Sequence, residues 1–119
     1  MTETEIKLPN EKLIAYQLAL EFHRSVMPLA RFRGFANLRD QLLRAADSVV
    51  LNIAEGAGRT SRDDKARFYA IAQGSLIECA AVLDCLRNRA AISPAAYSEC
   101  HAHAVRLYRL LSSLAGPPR

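Results

Sequence analysis

Cys100, His101 and His103 form the one soft-ligand cluster in this chain. Cys100 and His103 stand three residues apart, so on a helix they share a face, and a thiolate beside an imidazole suits zinc. A structural zinc site needs four such ligands, and no second pair stands at matching spacing. The Glu-x-x-His pairs that hold two metal ions inside helical bundles are missing too. Glu21, Glu78 and Glu99 are followed three residues on by Arg24, Ala81 and Ala102. The plainer reading is a core cysteine with two partly exposed histidines, and it predicts no metal and no cofactor.

The stretch Gly56-Ala57-Gly58-Arg59-Thr60-Ser61 lacks the Gly-Lys-Ser/Thr ending of a phosphate loop and follows no strand. The helix start that comes next still offers free backbone N–H groups near Arg59, Arg62 and Lys65, a setting that suits an anion. Asp63 and Asp64 occupy the same helix end, so an ordinary capped helix is the alternative. No nucleophile stands at a recognisable spacing from a base, and three histidines make no acid–base pair. The pattern therefore predicts no catalytic residue and no enzyme.

Charge is the remaining source of chemistry. The 119 residues hold 16 Lys plus Arg and 12 Asp plus Glu, a formal net charge of +4. Residues 31–67 contain eight cations, Arg31, Arg33, Arg39, Arg44, Arg59, Arg62, Lys65 and Arg67, against five anions. Arginine outnumbers lysine 13 to 3, which fits bidentate phosphate contact and equally fits an arginine-rich codon bias. Arg39, Arg44, Arg59, Arg62, Lys65 and Arg67 are the candidate polyanion contacts. In an antiparallel bundle they fall at opposite ends, so ordinary solvated surface is the alternative for any one of them.

The elements that must position these groups are helices. Ala and Leu supply 36 residues while Val, Ile and Thr supply 14, a balance that favours helix over strand. Gly plus Pro is only 10, leaving few turns. Cys79, Cys85 and Cys100 are an odd number without a CxxC pair and read as small buried apolar residues of a cytosolic protein, not as a disulfide framework. Met1 to Glu5 has neither the basic nor the apolar region of a signal peptide, and the longest uncharged run, Phe68 to Ile77, is short for a membrane span. A cytoplasmic protein that does not enter a membrane is expected.

Residues 1–10 read as a polar tail, 11–115 as one domain and 116–119 as a second tail. The first helix is expected from Glu11 to about Ala30 after an Asn10 cap, with Gln17, Glu21, Arg24 and Pro28 outward and an apolar stripe wider than one bundle seam needs. The second runs from about Ala36 to Ala54, with Leu42, Ala46, Val49 and Ile53 inward and Gly56-Ala57-Gly58 ending it. The third starts at a Ser61 cap and carries Phe68, Ala72, Ser75, Cys79, Val82 and Leu86 as a seam. The fourth opens at Ser93-Pro94 and ends before Gly116. Four helices with short connections predict an all-α, antiparallel up-down-up-down four-helix bundle. Gly74, in mid-helix at a cost of roughly 1 kcal/mol, implies a close helix approach. Asn52 and Glu78, beside the seams, either bond across the second and third helices and fix their register, or are simply exposed.

The run Gln41-Leu42-Leu43-Arg44-Ala45-Ala46-Asp47-Ser48-Val49, then Asn52-Ile53-Ala54-Glu55-Gly56-Ala57-Gly58-Arg59, resembles the signature of the four-helix bundle family also called the 23S rRNA intervening-sequence proteins. Arg67-Phe68-Tyr69 and Ala72-Gln73-Gly74-Ser75-Leu76-Ile77-Glu78 continue the likeness, and Tyr16-Gln17-Leu18-Ala19 is similar to the family's Trp-Gln-x-Ala opening. Asn52, Glu55, Gly56, Gly74, Ser75 and Glu78 are its structural motif residues. Val50 and Leu51 stand where the family commonly has Pro and Ser, which implies a less kinked second helix. The resemblance implies a ring-like homo-oligomer, typically a pentamer, with no established enzymatic activity. It also implies distant kinship with basic accessory proteins of reverse transcriptases, which contact nucleic acid. The expected function is a non-enzymatic scaffold that binds RNA or a ribonucleoprotein, with a protein-interaction adaptor as the alternative.

Overall fold

Two of the helices begin where a serine side chain takes up a free backbone N–H. Ser61 Oγ accepts from the Asp64 amide and Ser93 Oγ from the Ala96 amide, both at 3.1 Å. These caps open α3 (Arg62–Asn88) and α4 (Pro94–Ala115), the latter with Pro94 in its first turn. The other two, α1 (Ile14–Val26) and α2 (Ala36–Gly58), start without side-chain caps. The computed structural model describes residues 7–31 and 34–116. Readings that fall on residues 1–6, on Phe32 and Arg33, or on 117–119 lie outside the described residues. Among the described residues there are four α-helices and no strand.

The first helix differs from its expected bounds. Pro9–Lys12 is a separate 3-10 turn, and Leu13, in extended backbone, breaks it from α1. Asn10 does not cap with its side chain: its carbonyl accepts from the Leu13 amide at 3.1 Å. Pro28 lies in a second 3-10 turn, Met27–Arg31, where tighter bonding accommodates the missing N–H. The apolar stripe of α1 is mostly covered, since Leu18, Phe22 and Val26 are buried, Tyr16 and Leu20 half-buried, and Ile14 alone stays largely exposed.

Helix α2 buries Leu42, Ala46, Val49 and Ile53 as their spacing predicts. It does not stop at the glycines, however. It continues through Gly58, and neither Gly56 nor Gly58 adopts positive φ. Gly56 is there for space: a Cβ would meet Tyr69 Cε1 at 2.7 Å. The seam of α3 keeps Ala72, Cys79, Val82 and Leu86 of its expected row in the core. Tyr69, Leu76 and Leu83 join them there, whereas Phe68 and Ser75 are half-buried at its edge.

Cross-helix bonds fix which parts meet. The His23 ring and Asp47 carboxylate sit 2.7 Å apart between α1 and α2. Ser48 and Ser75 hydroxyls join α2 to α3 at 2.7 Å. Between α3 and α4, Gln73 Nε2 donates to Ser112 Oγ at 2.8 Å and Tyr97 Oη donates to Asp84 at 2.6 Å. The Cys100 thiol donates to the Ser25 carbonyl at 3.4 Å and ties α4 to α1. By length and composition alone α3 is apolar enough to cross a membrane. Part of that apolarity serves the bundle core, and the rest faces outward.

Candidate functional site

The candidate cations fall into two stations along α2. Arg39 and Arg44 lie in its first half and Arg59 follows its end, about 30 Å from Arg39 and about 22 Å from Arg44 at 1.5 Å per residue. One subunit therefore carries no continuous basic stripe.

The turn from α2 to α3 gathers Arg59, Arg62, Lys65 and Arg67. Each already has a local task. Arg59 donates to Glu55 Oε1 at 2.6 Å, one helical turn back. Its guanidinium also lies 4.8 Å from the Phe68 ring centre, and that of Arg67 lies 4.6 Å from the same ring. Phe68 is thus flanked by two guanidinium groups on the surface. Lys65 Nζ donates to the Gly56 and Ala57 carbonyls at 3.3 and 3.0 Å. These are among the last carbonyls of α2, where that of Gly56 also accepts from the Arg59 amide at 3.2 Å, and a cation there meets the negative end of the helix dipole. Arg62 lies over Gly116 at the end of α4, where a Cβ would come within 2.8 Å of its Nη2. Arg62 and Arg67 remain the most open to a further anion, since Lys65 is half-buried and Arg59 is paired.

At the other station Arg39 is half-buried with its Nε 3.9 Å from Asp40. Arg44 Nε donates to the Asp40 carbonyl at 3.4 Å and its side chain is exposed. With Gln41, Ala45, Ser48, Ser75 and Glu78, Arg44 lines an open depression between α2 and α3.

The motif residues divide by role. Asn52 does not reach α3: its Nδ2 donates to the Ser48 carbonyl and hydroxyl, at 2.9 and 3.0 Å. Ser48 then makes the interhelical contact to Ser75, so the register bond expected of Asn52 is delivered through Ser48. Glu78 is exposed and makes no interhelical bond among the described residues. Glu55 holds Arg59, and Gly56 admits Tyr69. The close approach expected at Gly74 is absent within the subunit, because a Cβ there would meet nothing within 4 Å. Reading the sequence missed Ser48, whose only signal was its place one turn before Asn52.

Cys100 is buried and committed to Ser25, and burial raises its thiol above the ordinary range, partly offset by that hydrogen bond. Cys79 is pushed up to about 12, first by burial and then by the nearby Glu78 charge. Cys85, expected inside with them, is exposed on the outward side of α3. His103 lines an open cleft with Glu21, Arg24, Ser25, Pro28 and Glu99. No three His, Cys, Asp or Glu side chains converge as a metal site among the described residues. His101 lines a shallow, almost wholly apolar groove of about 130 Å³ with Ile77, Ala80, Ala104, Val105 and Tyr108.

Comparison with known proteins adds the family. No curated protein matches this chain. A solved structure of a protein of unknown function from the S23 ribosomal protein family of Bacteroides thetaiotaomicron superimposes with a TM-score of 0.81 at 24% identity. That likeness covers 87% of this chain and all of the other, and establishes the shared fold. The sequence pattern of the 23S rRNA-intervening sequence proteins matches residues 11–113, from the last part of the N-terminal turn to the end of α4, and the chain belongs to that family.

Proposed function

We propose that this chain is a non-enzymatic, homo-oligomeric scaffold that binds RNA or a ribonucleoprotein through basic side chains repeated around its assembly. The subunit is read as an antiparallel up-down-up-down bundle. In its support, Asp84 and Gln73 meet Tyr97 and Ser112, so residue numbers fall on α3 as they rise on α4. Gly56 and Ser48 meet Tyr69 and Ser75 in the same reversed order.

The observation that carries the RNA reading is the surface corner where Arg59 and Arg67 flank Phe68, with Arg62 in the first turn of the same helix. Guanidinium groups bind phosphate bidentately, and an aromatic ring with arginine planes offers stacking to an unpaired base. A single corner is weak, since Glu55, Asp63 and Asp64 lie close in sequence. Repetition by self-association, in a ring such as a pentamer, turns weak sites into a multivalent surface.

The test is fluorescence anisotropy with a labelled single-stranded RNA. Arg62→Glu with Arg67→Glu is compared with Arg106→Glu with Arg109→Glu, an equal charge change on α4. The corner variant is expected to bind about tenfold or more weakly and to lower the salt slope by about one to two. Equal losses in both variants would overturn the corner as the contact.

A protein-interaction adaptor is the second reading, favoured by the exposed aliphatic residues Leu51, Ile71 and Ile77. A stoichiometric polypeptide retained after nuclease treatment, with no RNA affinity in the titration, would select it.

A further inference from the structure

Helices α3 and α4 are tied at two levels and left apart between them. At one level Gln73 Nε2 donates to the Tyr108 carbonyl at 3.3 Å and to Ser112 Oγ at 2.8 Å. At the other Tyr97 Oη donates to Asp84 at 2.6 Å, with the Arg87 guanidinium 4.7 Å from the Tyr97 ring centre and His101 stacked on that ring. Between these ties small residues face each other, Ala80 on α3 and Ala104 on α4, and they do not fill the space the ties hold open. The result is the groove of about 130 Å³ walled by Ile77, Val105, His101 and Tyr108, with room for one leucine-sized side chain.

The walls are wet in the subunit, since Ile77 is 56% and Tyr108 40% exposed. Apart from the His101 ring and the Tyr108 hydroxyl, the lining has no side-chain hydrogen-bonding group. A nucleic-acid base seated there would leave most of its polar edge without partners, which costs free energy. An aliphatic or aromatic side chain has nothing to leave unpaired and sheds water on entry.

Charge beside the groove has one sign. Residues 65–77 of α3 and 100–115 of α4 contain no Asp or Glu. Arg106 and Arg109, exposed on α4 next to Val105 and Tyr108, have no ion pair among the described residues. Of the carboxylates nearest in sequence, Asp84 already holds Tyr97, and Glu78 lines the depression on the α2 side of the helix.

We propose that this groove seats one apolar side chain of an acidic partner peptide, whose carboxylates pair with Arg106 and Arg109. The bonds at either end preform the groove, so docking orders little of this chain. An apolar anchor flanked by carboxylates answers both features at once, burial against Ile77 and Val105 and opposite charge on α4. A phosphate chain answers only the second. The site gives the adaptor reading a place and a partner chemistry. It shares no side chain with the Arg59–Phe68–Arg67 corner, so it can fail without the RNA reading failing.

The test is fluorescence anisotropy of the full chain with short labelled peptides rich in Asp and Glu, carrying either Leu or Ala at the centre. The Leu peptide is expected to bind, and the Ala peptide to bind about tenfold or more weakly. Arg106→Glu with Arg109→Glu is expected to weaken the Leu peptide by about tenfold or more, and Arg62→Glu with Arg67→Glu by less than about twofold. Ala80→Leu, which fills the groove with this chain's own side chain, is expected to weaken it by about tenfold or more with the helical circular dichroism unchanged. Equal binding of the two peptides to the unaltered protein, or no binding of either, would overturn the proposal without any variant having to fold. So would unchanged binding in folded Ala80→Leu. A single-stranded RNA that displaces the Leu peptide, and is itself weakened by Ala80→Leu, would also overturn it by giving the groove to nucleic acid.

Discussion

Substituting Gly56 by alanine tests how α2 and α3 are held together. A Cβ at this position would lie 2.7 Å from Tyr69 Cε1, 3.0 Å from Cδ1 and 3.1 Å from Phe68 Cβ. The Tyr69 ring is 4% exposed, and Phe68 beside it is held between Arg59 and Arg67, so neither side chain can swing out freely. Two contributions oppose each other. Alanine in place of glycine favours a helix by about 1 kcal/mol. Overpacking a filled interface costs about 1–3 kcal/mol, and a contact this short against a buried ring belongs in the upper part of that range. The expected net loss is about 1–2 kcal/mol, or a fall in Tm of about 5–10 °C for a domain of this size. Urea denaturation followed by circular dichroism measures it, at fixed protein concentration because self-association adds to apparent stability. Combining Gly56→Ala with Tyr69→Leu should cost less than the two losses added together, because the second change removes the atoms the new methyl meets. A Gly56→Ala midpoint at or above wild type would refute the packing argument.

Of the three thiols, exposed Cys85 should react with a disulfide reagent first, and Cys79 and Cys100 only on unfolding; two or more fast equivalents would contradict this. The Cys79 thiol is raised from 9.0 to about 12, so its contribution to stability is fully present below pH 9 and is lost as pH rises towards 12. The urea midpoint should fall across that window, and fall less in Cys79→Ala. A double-mutant cycle on Ser48→Ala and Ser75→Ala should give a coupling of about 0.5–1.5 kcal/mol, the ordinary worth of a hydrogen bond. Lys65→Met should lower stability by about 0.5–1 kcal/mol by stripping the cation from the end of α2, as read by the same denaturation; no change would mean that water replaces it at no cost.

The helical frame was legible in the residues because local signals agreed. Ser61 and Ser93-Pro94 are caps that form as expected, and the spacing of Leu42, Ala46, Val49 and Ile53 turns one face of α2 inward. The row of α3 was harder to read. Phe68 and Tyr69 are adjacent and both aromatic, and the alanines around them satisfy either row, so only packing against Gly56 selects Tyr69 for the core. The glycines show the same limit. Ending a helix and admitting a neighbour call for the same residue, and the difference between Gly56 and Gly74 lies in atoms from distant parts of the chain. Charge counting located the cations but not their occupations. Lys65 and Arg59 look alike in the sequence, yet one holds carbonyls at the end of α2 and the other a carboxylate.

A salt titration of the full chain on a labelled single-stranded RNA bears most directly on whether the basic exterior is the working part of the molecule. With about four phosphate contacts in the bound state, affinity should fall by roughly 50-fold between about 50 and 200 mM salt. Affinity that stays flat across this range, or no binding at its lower end, would contradict the account.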